Sequence, residues 1–249
     1  MSGSFDARGA LDVGDGRILF CTGKKRSGKS IIAKVFFLSF PWDKLVVDVA
    51  RDDGPSGGEV IDLQGDASTE FVWPEHRRKE GKPMTLRYVP DPGSPTFLQD
   101  VDAVLAMVRE HGLKQRHAGK PGACVLIHEI GVIAPVHKTQ PHMRRVLMHN
   151  RHDAVTAIFC GPRPMNVDPL VLQQADVVYA FELPNKADRQ RLAEQINWDV
   201  DDLSAAFAEL GPHEYLRYDS NEPKPEPGDE DVRLLHFPRL PDEVVEAVK

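Results

Sequence analysis

Uninterrupted apolar runs alternate along this chain with stretches in which apolar residues recur every three or four positions, and the alternation predicts an architecture. The runs at Arg17 to Thr22, Lys44 to Ala50, Met84 to Val89, Ala123 to Ile127, Ala154 to Cys160 and Asp176 to Phe181 are too short for helices. They lack the apolar–polar alternation of a half-solvated sheet, so they read as strands buried on both faces. A shorter strand is expected around Val60 to Leu63 and an edge strand around Val232 to Phe237. Between these runs Phe97, Val101, Val104, Leu105 and Val108 form one helical stripe. Pro141 to His149 forms a helix with Met143, Val146 and Leu147 inward and Arg144 and Arg145 outward; Pro169 to Gln174 and Lys186 to Ile196 supply two more. Strands and helices alternating at these lengths predict an α/β fold, a mostly parallel central sheet with helices on both faces.

The junction between the first strand and the first helix carries the chemistry. Gly23 to Ser30 reads GKKRSGKS, directly after the first apolar run and directly before Ile31-Ile32-Ala33-Lys34-Val35-Phe36-Phe37. Glycines at this spacing let the backbone curl until successive N–H groups point inward at phosphates, and the opening of the helix adds its positive dipole end. Gly23, Lys24, Lys25, Arg26, Ser27, Gly28, Lys29, Ser30 and Ile31 are therefore the expected nucleotide-binding residues, with ATP and Mg²⁺ as cofactors. Lys29 reaches the outer phosphates and the Ser30 hydroxyl ligates Mg²⁺. A phosphate loop alone does not hydrolyse a nucleotide. Val125-Leu126-Ile127-His128-Glu129 ends an apolar strand in one carboxylate, so Glu129 is the expected general base. His128 stands where a second acid is usual and could contact Mg²⁺ through a water; Asp48 and Asp176 are alternative carboxylates.

At 249 residues the chain suits one large domain with a tail: a segment at 1–16, a nucleotide-binding domain at 17–219 and an acidic, Pro-rich tail at 220–249. The prolines and charges of Asn221 to Glu230 predict an extended or disordered stretch. Cys21, Cys124 and Cys160 fall in predicted strands and read as reduced core residues. No run is long enough to cross a bilayer and the start MSGSFDARGALDVGDG lacks signal-peptide order, which predicts a soluble, cytoplasmic protein. The net charge of −7 is segregated, because Arg109 to Arg151 is strongly basic while the residues after Asp199 are acidic. The overall sign thus leaves a nucleic-acid partner open.

With GKKRSGKS, the His128-Glu129 pair and FCGPRPMNVDPLVLQQADVVYAFELPNKADRQRLAE, the chain resembles the FtsK/HerA superfamily of DNA-pumping ATPases, and most closely the genome-packaging ATPases of tailless icosahedral viruses. The resemblance spans roughly Arg17 to Ile196 and implies a RecA-like P-loop NTPase fold, ATP hydrolysis coupled to translocation of double-stranded DNA, and a homo-oligomeric ring, usually a hexamer. It further implies a capsid vertex or membrane-associated portal as partner, in the host cytoplasm or with the virion. Arg163-Pro164 match the family's Arg-Pro, but Pro162 takes the place of its sensor Gln, leaving Arg163 or Asn166 for that role. Arg151 matches the position of an arginine supplied to the next subunit, with Arg144 and Arg145 as alternatives. If DNA threads the ring, the loops carrying Arg77, Arg78, Lys114, Arg116 and Lys120 are the candidates for gripping it. A phosphotransferase, or an assembly factor that binds nucleotide without strong turnover, are the alternative readings.

Overall fold

In the computed structural model, which describes residues 16–49, 60–63, 71–79, 81–222 and 233–248, the apolar runs become neighbours in one nine-stranded sheet. Strands β1 (Ile18–Thr22), β2 (Lys44–Val47), β3 (Val60–Leu63), β4 (Thr85–Tyr88), β5 (Ala123–Ile127), β6 (Val155–Gly161) and β7 (Val177–Ala180) are parallel. Strands β8 (Tyr215–Asp219) and β9 (Leu234–Phe237) add one antiparallel edge. The order across the sheet is β3-β4-β2-β5-β6-β1-β7-β8-β9. Every residue of β1, β5 and β6 is buried, as expected of strands covered on both faces.

Helix α1 (Lys29–Ser39) covers one face, packing Ile32, Ala33, Phe36 and Phe37 onto Leu19, Val46, Leu126 and Ile158. The other face carries α2 (Phe97–His117), α4 (Pro141–Asp153), α5 (Pro169–Gln173), α6 (Lys186–Ile196) and α7 (Val200–Ala208). The five stripe residues of α2 are all buried there. A short α3 (Ile130–Ile133) follows β5, and α8 (Asp242–Ala247) follows β9.

Three elements differ from the sequence expectation. Strand β2 stops at Val47, although the Asp48 amide still donates to the Tyr88 carbonyl and its carboxylate binds Arg87, with Nη2 2.7 Å from Oδ2. Helix α4 passes the expected stop at His149 through a kink (φ −131°) and ends at Asp153, so Arg151 lies in its last turn. Helix α7 and strand β8 were not expected, although α7 carries a helix-start signal: the Asp199 side chain accepts from the amides of Asp201 and Asp202, and Leu203 and Phe207 are buried on one side. The expected edge strand is β9. The Pro-rich stretch at 223–230 and the N-terminal segment 1–15 lie outside the described residues.

The N-terminal ends of the parallel strands are tied by paired charges. Asp43, just before β2, receives both guanidinium nitrogens of Arg78 (2.8 and 2.5 Å), the Met84 amide (2.8 Å) and His111 Nε2 (2.7 Å). Burial opposes this charge, but the Arg78 and His111 hydrogen bonds outweigh it and hold the Asp43 carboxyl down at about 2. Arg109 holds the buried Asp153, and Asp102 accepts from the first amides of α4, at His142 and Met143. Gly122 is fixed by contact: a Cβ there would lie 1.7 Å from the Ala154 carbonyl oxygen, which receives the Ala123 amide.

Candidate nucleotide-binding site

Because β1 and α1 are joined by six residues, the chain must turn sharply between Thr22 and Lys29. Gly23 (φ +144°) and Gly28 (φ +111°) make that turn in backbone regions closed to other residues. The fit is also tight, since a Cβ on Gly23 would stand 2.6 Å from Phe181 Cβ. Arg26 adopts a left-handed conformation at the outer bend (φ +63°). Lys29 Nζ reaches back across the loop to the Lys24 carbonyl at 3.3 Å, the Lys24 amide donates to the Glu182 carbonyl, and Lys24 and Glu182 also form an ion pair. His213 donates from Nδ1 to the Ser27 carbonyl (3.1 Å). Two hydroxyls, Thr22 Oγ1 and Ser27 Oγ, are buried without a partner. No acidic residue occupies the first turn of α1, so its dipole is uncompensated.

Strand β6 separates β1 from β5. Thr22 pairs in register with Gly161 and Ile127 with Phe159, so the turn carrying Glu129 leaves the sheet at the same edge as the loop after β1. Glu129 itself is left-handed (φ +56°, ψ +49°) and caps α3, a costly conformation for a non-glycine residue at the rim of the loop. This places Lys29, Ser30 and Glu129 on the same edge of the sheet.

His128 is buried one position earlier, beside Cys160 of β6, and its amide donates to the Val47 carbonyl. Burial disfavours the imidazolium, but the hydrogen bond with Cys160 and the charge of Asp48 outweigh it and raise the His128 pKa. The Cys160 thiol is correspondingly acidified, first by its hydrogen bond with Cys21 and then by His128, while burial pushes Cys21 up. Cys21, Cys124 and Cys160 are all free and buried. Asp48 lies on the nucleotide edge, with Oδ2 held by Arg87 and Oδ1 buried without a partner.

Other candidates lie elsewhere. Asp176 sits at the opposite edge, where Oδ2 accepts from the Ile18 amide (2.7 Å) and Oδ1 from Arg151 (2.8 Å). It cannot replace a carboxylate at the nucleotide, because it precedes β7 instead of following it. Arg151, 63% exposed in its side chain, shares that distal edge, and so is remote from the phosphate loop of its own subunit. Arg144 and Arg145 are exposed on α4, with Arg145 Nε 3.8 Å from Asp153. On the nucleotide edge, Pro162 directly follows β6, Arg163 pairs with Asp188 (3.2 Å), and Asn166 is exposed.

Of Arg77, Arg78, Lys114, Arg116 and Lys120, the structure brings Arg78 and Lys120 to the Trp42 ring. Arg78 lies over the indole while bound to Asp43, and Arg116 is occupied with the Arg151 and His152 carbonyls at the end of α4. Arg77, Lys114 and Lys120 are exposed, with Lys120 Nζ 5.2 Å from the Trp42 ring centre.

No family model and no curated protein sequence matches the chain. Solved structures do. The genome packaging NTPase B204 from Sulfolobus turreted icosahedral virus 2 in complex with AMPPCP superposes with a TM-score of 0.63 at 17% identity, covering 91% of this chain and 98% of that one. The DNA-packaging ATPase B204 from Sulfolobus turreted icosahedral virus gives a TM-score of 0.61 at 17% identity over 90% and 98%. The fold is that of a P-loop NTPase. This agrees with the FtsK/HerA resemblance of the motifs and with the expected mostly parallel sheet covered on both faces. Within the P-loop NTPase frame, the Lys29 and Ser30 amides that open α1, beside the Lys29 ammonium in the same cavity, suit phosphate oxygens. Ser30 supplies the hard oxygen that Mg²⁺ prefers, and the imidazole of His128 does not. Two residues that help shape the loop, Phe181 and His213, escaped the sequence reading; the bulky residue ending β7 and the Gly211-Pro212 turn before His213 were their signals. Among the described residues no helix is long and apolar enough to cross a membrane.

Proposed function

We propose that this chain hydrolyses ATP and uses the free energy to move double-stranded DNA, filling a preformed viral capsid. The observation that supports the reading is that β5, which ends just before Glu129, and the glycine loop after β1 finish at the same edge of the parallel sheet, two strands apart across β6. A carboxylate on that edge could act on a water attacking a γ-phosphate placed by Lys29. In this scheme Gly23 to Ile31 bind the phosphates, Lys29 balances charge that grows on the outer phosphate, and Glu129 takes the proton of the attacking water. Ser30 would hold Mg²⁺, which neutralises phosphate charge when bound.

The distal position of Arg151 suits a ring, because a residue remote from its own loop can reach the loop of a neighbouring copy. Arg77, Lys114 and Lys120 then offer phosphate contacts to DNA without sequence readout. A hexamer, with a capsid vertex or portal as its docking partner, is the assembly this reading expects. Steady-state ATP hydrolysis with and without double-stranded DNA is the test. Turnover that rises with DNA and vanishes in Lys29→Ala and Glu129→Gln supports the motor.

One observation favours a second reading. His128 is a buried imidazole where an acid is usual, and it offers Mg²⁺ no hard oxygen. ATP binding without turnover at any DNA concentration would favour a nucleotide-switched assembly factor.

A further inference from the structure

The phosphate loop forms only one wall of a cavity of about 410 Å³. Residues 26–31, Phe181 and His213 share its lining with Arg239, Leu240, Asp242 and Val245 from the C-terminal segment. The acidic, Pro-rich stretch separates that segment from β8 in sequence, yet β9 pairs with β8 and brings α8 back beside the loop.

The lining combines two chemistries. Gly28, Lys29 and Ser30 bring backbone amides, an ammonium and a hydroxyl. The same lining brings apolar surface from Ile31, Phe181, Leu240 and Val245, with Arg239 and Asp242 ion-paired and exposed. The Phe181 ring is pinned against the loop, since a Cβ on Gly28 would lie 3.1 Å from its Cε1. A bare polyphosphate has no use for an apolar wall, whereas a molecule with phosphates at one end and a flat, polar-edged ring at the other uses both chemistries. The volume falls in the ordinary range of small-molecule sites.

We propose that residues 239–245 form the nucleoside half of the nucleotide site. The base seats between the Ile31 and Phe181 wall and the Leu240 and Val245 wall, while Arg239 and Asp242 contact the polar edge of the base or the ribose. This rests on the nucleotide-binding reading and extends it, because it makes the C-terminal segment a determinant of which nucleotide binds. It also makes that segment responsive to the ligand: a nucleoside that bridges both walls holds α8 against the loop.

Calorimetric binding of Mg-ATP and of Mg-tripolyphosphate to the full chain tests the proposal, with hydrogen exchange of residues 239–247 as a second readout. The parent is expected to bind ATP at least tenfold more tightly than tripolyphosphate, and only ATP should slow exchange in that segment. Leu240→Asp should remove the ATP advantage and leave tripolyphosphate affinity as it was. Arg239→Ala, at an exposed position where misfolding is not at issue, should weaken ATP severalfold while tripolyphosphate binds as before. Equal affinities in the parent, or ATP affinity and exchange unchanged in both variants, would overturn the proposal while leaving phosphate binding intact. A parent that binds neither ligand would instead remove the nucleotide-binding reading, and this proposal with it.

Discussion

The two edges of the parallel sheet are built on opposite terms. At the distal edge the buried carboxylates are all engaged: Asp43 by Arg78, His111 and the Met84 amide, Asp153 by Arg109, Asp176 by Arg151 and the Ile18 amide. At the nucleotide edge, Thr22 Oγ1, Ser27 Oγ and Asp48 Oδ1 are buried with nothing to bind, and Glu129 is held in a strained backbone conformation. An unsatisfied buried polar atom costs stability, on the order of 1–3 kcal/mol; Trp73 Nε1, Tyr179 Oη, Arg191 Nε and Arg217 Nε also lack partners among the described residues, and the nucleotide edge carries three more. The distal edge stabilises the fold that the other edge spends on binding.

This contrast predicts which readout each substitution moves. Asp43→Ala strips Arg78 and His111 of their buried partner and should lower folding stability by about 3–5 kcal/mol, measured by urea unfolding. Lys29→Ala should reduce ATP turnover roughly 100-fold or more while the unfolding midpoint stays close to the parent's. A large stability loss there would erase the distinction between the edges. Acid sharpens it. The Asp43 carboxyl is depressed in the folded state to about 2, below its unfolded value. Its contribution, about 2 kcal/mol, is therefore complete above pH ~4 and lost as the pH falls toward 2, which thermal melts across that window should follow in the parent and miss in Asp43→Ala.

Thr22→Val removes a buried hydroxyl that has no partner, so stability should hold or rise by up to about 1 kcal/mol by urea unfolding. The smallest expected stability effect is that of Arg151→Ala, under about 1 kcal/mol because the side chain is exposed. If DNA-stimulated turnover nevertheless collapses in that variant, and returns on mixing with Lys29→Ala subunits, the arginine acts on a neighbour. Unchanged turnover would leave it a tether for Asp176.

What the sequence made legible was local. The phosphate loop is an eight-residue pattern between a strand and a helix, and Glu129 ends a run of buried residues, so both could be read without knowing what they touch. The five-residue stripe of α2 and the limits of α6 followed in the same way. Partnerships across the fold were hidden. Arg78 looked like one of several cations in a surface loop because Asp43, its partner, lies 35 positions away. The wall made by Leu240 and Val245 could not be seen because it depends on β9 pairing with β8 across the Pro-rich stretch. The edge on which Arg151 stands was readable in principle, since a residue just before a parallel strand lies at the opposite end from a loop that follows one.

The position of β1 has a consequence for how the molecule is made. It is nearly the first described segment to be synthesised, yet its neighbours in the sheet are β6 and β7, so that Ile18 waits for Ala157. At ribosomal speeds of about 5–20 residues per second, an apolar strand with the hydrophobic α1 behind it stays without its flanking strands for roughly 7–30 seconds. During that interval the loop of glycines and lysines has no scaffold to hold its curve. The phosphate cradle is encoded ahead of both strands that flank it, so its final shape waits until β7 has emerged.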